Sequence, residues 1–74
     1  MSGKKLLIVI PCYNEEEALP STLKRMETLM NKMLGEKLID KNSRVMFVDD
    51  GSADNTWQIL KKGVGKTPFF EALR

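Results

Sequence analysis

Leu6-Leu7-Ile8-Val9-Ile10-Pro11-Cys12-Tyr13-Asn14-Glu15 and Val45-Met46-Phe47-Val48-Asp49-Asp50-Gly51-Ser52 are the two stretches that decide the fold of this 74-residue chain. Each starts as an apolar run and ends in a short acidic turn. Short apolar runs bounded by turn formers read as strands of a parallel sheet, covered on both faces. A long amphipathic segment separates them, so the assembly predicted is strand, crossover helix, parallel strand, with a right-handed crossover. Parallel neighbours point the same way, which sets both acidic turns on one rim, at the carboxyl ends of the strands. Open α/β sheets build their ligand crevices there.

The first strand is expected over Lys5 to Ile10, ended by Pro11, whose missing amide hydrogen cannot continue a ladder. A helix is expected from Glu16 or Glu17, with Pro20 tolerated in its first turn and three glutamates suiting the helix dipole. Leu19, Leu23, Met26, Met30, Met33 and Leu34 recur at spacings of three and four and form the stripe that packs on the sheet. Lys24, Arg25, Glu27 and Lys32 fall on the water face, and Gly35 is the expected stop. Lys41-Asn42-Ser43 reads as a turn into a second strand that starts near Arg44 and ends at Val48 or Asp49. Asp54, Asn55 or Thr56 then caps a second helix carrying Trp57, Ile59 and Leu60. From Lys61 to Pro68 the chain is basic and broken by glycine, after which Phe69, Phe70, Ala72 and Leu73 read as the start of an incomplete third element, with Phe69-Phe70 its fragment of the expected apolar strand.

At 74 residues the chain makes at most one small domain, whose expected stability is roughly 4 to 11 kcal/mol. A net charge of +2, with the basic residues scattered, gives no case for nucleic acid. Cys12 is the single cysteine, which rules out an intrachain disulfide and makes a reducing, cytosolic setting the expectation. Histidine is absent, removing the commonest general base and the commonest metal ligand. The apolar run after Lys4-Lys5 falls short of the roughly 7 to 15 residues of a signal peptide's hydrophobic region, and no run nears the roughly 18 of a membrane span.

Two local motifs fail on spacing. Gly65-Lys66-Thr67 lacks the upstream glycine of a phosphate loop, because position 60 is Leu60. A calcium loop from Asp50 to Lys61 has Asn55 where glycine is needed and Lys61 where a bidentate acid is needed. The acidic rim itself repels phosphate, yet Glu15, Asp49 and Asp50 accept well from ribose hydroxyls or from the imide hydrogen of a uracil ring. Tyr13 adds a flat face for a base. Against this stands a plainer reading, in which Asp49, Asp50 and Asp54 close turns through their own backbone and Tyr13 only packs.

Ile8-Val9-Ile10-Pro11-Cys12-Tyr13-Asn14-Glu15-Glu16, followed one βαβ unit later by Phe47-Val48-Asp49-Asp50-Gly51-Ser52-Ala53-Asp54-Asn55-Thr56, resembles the start of inverting family 2 glycosyltransferases of the GT-A fold. The likeness is to the branch that charges dolichyl or undecaprenyl phosphate with a sugar, and it covers roughly residues 4 to 62. It implies an α/β fold: a βαβ(α) unit with parallel strands, the incomplete start of a Rossmann-like, nucleotide-sugar-binding domain. Residues 1–62 would form that portion and 63–74 an irregular tail or the start of an incomplete third element. It further implies that Pro11, Tyr13 and Glu15 line the nucleoside pocket and Asp50 contacts the base. Asn14 braces the first turn, and Asp49 and Asp54 shape the second loop.

The family transfers a sugar from a nucleotide-diphosphate sugar with inversion, using a divalent cation (Mg or Mn) held by a later Asp-x-Asp signature that this sequence does not contain. The expectation is a nucleotide-binding part that is inactive alone, with no catalytic residue and no metal ligand of its own. Its parent would act at the cytoplasmic face of a membrane on a polyprenyl-phosphate acceptor. A competing expectation is a non-enzymatic βαβ module that forms homo-oligomers or docks to a partner through open strand edges.

Overall fold

The computed structural model describes residues 3–74. Three strands, β1 (Leu7–Cys12), β2 (Arg44–Asp49) and β3 (Phe70–Leu73), alternate with two helices, α1 (Leu19–Gly35) and α2 (Thr56–Lys66). The sheet order is β1-β2-β3 and both pairings are parallel, with Cys12 opposite Asp49 and Phe47 opposite both Ile10 and Ala72. This confirms the βαβ(α) reading and extends it by one paired strand, β3.

The core lies between the sheet and a single helical layer. Val45, Phe47, Leu19, Met30 and Leu60 are fully buried, and Leu23, Met26, Met33 and Leu34 complete the predicted stripe against them. Phe47 meets Phe70 edge to face at 5.0 Å between ring centroids, and Phe70 meets Phe69 in the same way at 5.2 Å. Such pairs add to the area they bury.

The other face of the sheet carries Leu7, Val9 and Leu73, each more than half exposed. The expectation that the first strand is covered on both sides is therefore corrected for the described residues. Alternate side chains of a strand point to opposite faces, and both helices pack on the face shared by Cys12, Val45, Phe47 and Phe70.

Pro11 does not end β1. The strand runs on to Cys12, and Pro11 sits opposite Val48 on an outer strand. An edge tolerates proline because one side of its ladder needs no donor. Helix α1 begins at Leu19, later than expected, with Pro20 in the first turn and no acid there. The three glutamates precede it: the Glu15 carbonyl accepts from the Ala18 and Leu19 amides at 3.1 and 2.9 Å. They form the entry turn and are not the first helical turn.

Helix α1 stops at Gly35 as expected, and the left-handed position lies two residues beyond it. Lys37 takes that conformation, at φ 58°, while the Leu38 amide donates to the Met33 carbonyl and the Lys37 amide to the Leu34 carbonyl. This is the paired bonding of a Schellman end, in which glycine is the favoured residue. A side chain in that region is strained, so Lys37→Gly is expected to raise stability by about 1 kcal/mol. A urea denaturation midpoint reads it, and an unchanged or lower midpoint would contradict it.

The glycine-broken stretch is helical through Lys66, which corrects the irregular reading of residues 63–66. A side chain on Gly63 would press on Leu23 of α1 at 3.1 Å, so glycine there is what lets the helices approach. After Pro68 the chain pairs as β3 over Phe70–Leu73, where Phe69, Phe70, Ala72 and Leu73 had read as the start of a third element.

Candidate functional site

The end of β1 leads directly into Tyr13-Asn14-Glu15-Glu16, and the end of β2 into Asp50–Asn55. Because the strands are parallel neighbours, both loops leave from the same rim, and the Asp50 amide still donates to the Cys12 carbonyl at 2.9 Å. From there the loops are joined to each other. The Asn14 amide donates to Ser52 Oγ at 2.9 Å, and the Glu15 amide to Thr56 Oγ1 at 2.9 Å. The Ala53 amide donates to Asn14 Oδ1 at 2.8 Å, and the Glu16 amide to Asp54 Oδ2 at 3.3 Å. Asn55 Nδ2 donates to Glu16 Oε2 at 3.2 Å. Asn14 reaches this arrangement at φ 47° and Gly51 at φ 76°, conformations that asparagine and glycine tolerate.

The acidic residues divide into two groups. Asp49 is 2% exposed, and its Oδ1 accepts from both the amide and the hydroxyl of Ser52. Its Oδ2 is buried without a hydrogen bond, and the nearest cation is the Arg74 guanidinium, with Nε at 3.6 Å, stacked over Trp57 at 5.6 Å. That separation is an ion pair too long for a hydrogen bond. Asp54 accepts from the Thr56 hydroxyl and, at 2.9 Å, from the Thr56 amide. The Thr56 hydroxyl, more than its backbone, holds the Asp54 carboxyl below the ordinary carboxylate range. Both residues therefore do loop work, as the turn reading of Asp49 and Asp54 anticipated.

Asp50 and Glu15 form the second group. Both side chains are exposed, and among the described residues neither carboxylate accepts a hydrogen bond or forms an ion pair. Asp50 does not close its own turn. Tyr13 is 58% exposed at the same rim, so it is not a packed core ring. Pro11 lies on the open face of the sheet beside Leu7 and Val9, one residue before the loop. A shallow hollow of about 360 Å³, lined by Asn14, Glu15, Glu16, Glu17, Ala18 and Asp54, opens beside the loops.

Cys12 is buried under this rim. Burial, then the nearby Glu15 and Asp49 charges, push its thiol up, so it stays protonated at neutral pH and is no thiolate nucleophile. Among the described residues no group of three acidic, histidine or cysteine side chains converges as a metal site. Six of the ten acidic residues (Glu15, Glu16, Glu17, Asp49, Asp50 and Asp54) sit on these two loops or their roots, and among the described residues Arg74 is the one cation that forms an ion pair with any of them.

Sequence reasoning placed the loops together but missed what fastens them. Ser52 and Thr56 looked like local turn and cap residues, whereas their hydroxyls serve amides 38 and 41 positions away. Arg74 gave no signal at all.

The Glycosyl transferase family 2 profile matches residues 7–72, nearly the whole chain. The chain is 44% identical over 55 residues to the uncharacterised glycosyltransferase YkoT of Bacillus subtilis (strain 168). It is 40% identical over 57 residues to the undecaprenyl-phosphate 4-deoxy-4-formamido-L-arabinose transferases of Yersinia pestis (strain Pestoides F) and Yersinia pseudotuberculosis serotype O:3 (strain YPIII). These alignments cover 74% and 77% of this chain but only 16% of each relative's length. No solved structure matches.

Proposed function

Because the chain belongs to glycosyl transferase family 2, we propose that its acidic rim binds the nucleoside of a nucleotide-diphosphate sugar, the donor for transfer to a polyprenyl-phosphate acceptor. Three parallel strands with helices between them are how a GT-A, Rossmann-like domain opens. The observation that carries the reading is the division of labour among the acids. Asn14, Ser52, Asp54 and Thr56 use their polar groups to join the loops and Asp49 bonds Ser52 beneath them, whereas Glu15, Asp50 and Tyr13 are exposed on the same two loops and, among the described residues, neither of those carboxylates has a hydrogen-bond or ion-pair partner. A carboxylate is an acceptor only, which suits ribose hydroxyls or a base N–H and not phosphate.

In this reading Asp50 accepts from the base, Glu15 from the ribose or the base edge, and Tyr13 lies against the ring. Pro11 shapes the approach to the pocket from β1. Asn14 and Asp49 hold the two loops in register. The polyprenyl-phosphate acceptor is supported by the names of the Yersinia relatives. Among the described residues the acids of this rim do not converge in threes, and Asp49 and Asp54 are committed to Ser52 and Thr56, an arrangement that does not fit a divalent cation. No residue of the chain is assigned to the transfer step, so binding and orienting the donor is the work proposed for it. Among the described residues no helix is long and apolar enough to cross a membrane.

Titration of uridine diphosphate into the chain tests this, with amide chemical shifts as readout. Shifts are expected at Tyr13 and Asp50, and Asp50→Asn should weaken binding about tenfold, the worth of one hydrogen bond to a charged acceptor. Saturating uridine and guanosine diphosphates that move neither amide would overturn the proposal.

A further inference from the structure

Charge on this molecule is segregated by layer. The outward surfaces of α1 and α2 carry Lys24, Arg25, Lys32, Lys61, Lys62 and Lys66, all exposed, and none forms an ion pair among the described residues. Helix α2 contains no acid. Glu27 and no other acid lies within α1, on the flank toward α2, where its carboxylate accepts from the Thr67 hydroxyl at 3.2 Å. The basic residues that look scattered along the sequence are thus gathered by the fold, since a parallel sheet ordered β1-β2-β3 with both helices on one face makes their outer sides a continuous surface.

Two grooves cross that surface and share Lys24. One, of about 330 Å³, runs between the helices over Leu23, Ile59 and Phe70 and is edged by Lys62 and Lys66. The other, of about 510 Å³, follows α1 past Arg25, Thr28 and Lys32 and contains Leu29, 44% exposed on an otherwise polar helix face.

We propose that this α1–α2 surface docks on an anionic phospholipid bilayer, with the six cations against headgroup phosphates and Leu29 entering the interface. Basic residues near an anionic leaflet each add attraction that screens with salt. Long lysine stems lie along apolar surface while their charges meet the headgroups. Nucleic acid is the poorer partner, because no aromatic ring interleaves these charges: Trp57 is half-buried with Arg74 at the rim.

The test is co-sedimentation of the full chain with phosphatidylcholine vesicles and with mixed phosphatidylcholine–phosphatidylglycerol vesicles. Binding only to the mixed vesicles, lost in high salt, is expected. Reversing Lys24, Lys62 and Lys66 to glutamate should weaken it on the order of a hundredfold. Reversing Lys5, Lys37 and Lys41, exposed elsewhere, changes the net charge equally and should leave most of the binding. Circular dichroism confirms that both variants fold. Absence of binding to mixed vesicles, equal loss in both variants, or tighter binding of duplex DNA through the same lysines would each overturn the proposal. It is independent of the nucleotide reading, because the reversed lysines lie off the rim and the uridine diphosphate shifts at Tyr13 and Asp50 should survive in both variants.

Discussion

Phe47→Ala is expected to remove about 3–5 kcal/mol of stability, most of what a domain of this size holds at roughly 4 to 11 kcal/mol. Phe47 is fully buried at the middle of the central strand, and its ring packs edge to face on Phe70. Alanine there loses the transfer energy of the ring and leaves a cavity that cannot collapse, since β1 and β3 flank it through backbone ladders. It also detaches Phe70, and with it the short β3 that pairs with β2 alone. Urea denaturation followed by circular dichroism should show either a transition shifted far toward zero urea or an unfolded chain. A loss below about 1 kcal/mol would mean that the aromatic cluster is not the centre of the core.

Ser52→Ala is expected to cost about 2–3 kcal/mol, more than a turn serine ordinarily would. The Ser52 hydroxyl donates to the buried Asp49 carboxylate and accepts from the Asn14 amide, so one atom bridges both loops and the charge beneath them. Alanine keeps the amide bond to Asp49 but leaves that carboxylate short of a donor and Asn14 short of an acceptor. Buried groups left without partners cost more than the bond itself contributed. Two readouts check this: the denaturation midpoint, and hydrogen exchange at Asn14, which should quicken while exchange at Val45 tracks only global stability. On the proposed nucleotide reading, uridine diphosphate affinity should fall with it, since the loops that carry Glu15 and Asp50 are joined through this bridge. A midpoint within about 0.5 kcal/mol of the parent would show that the loops stand without it.

How much of this was legible in sequence depends on how local each feature is. The core stripe of α1 read correctly because a helical face is a property of spacing within about 15 residues, and β2 because Val45 to Val48 is apolar between clear turn signals. Ends read worse. Gly35 does end α1, although the left-handed position falls on Lys37 beyond it, whereas Pro11 looked like a stop and is accommodated at an edge. The helix through Gly63 and Gly65 went unread because intrinsic propensity opposes it, and close contact with Leu23 overrides it.

By itself the sequence determined the order of elements, their parallel pairing and the delivery of two acidic turns to one rim, since alternation of strand and helix leaves few topologies. Tertiary structure alone decided which acids are bonded within the chain and which, among the described residues, are left without a partner. Ser52, Thr56, Asn14 and Asp54 spend their polar groups on partners about forty residues distant, and a hydroxyl's partner cannot be read from its neighbours in the chain. It also decided where the charge lies. Cations spaced at irregular intervals along two helices become one surface only when both helices take the same face of the sheet.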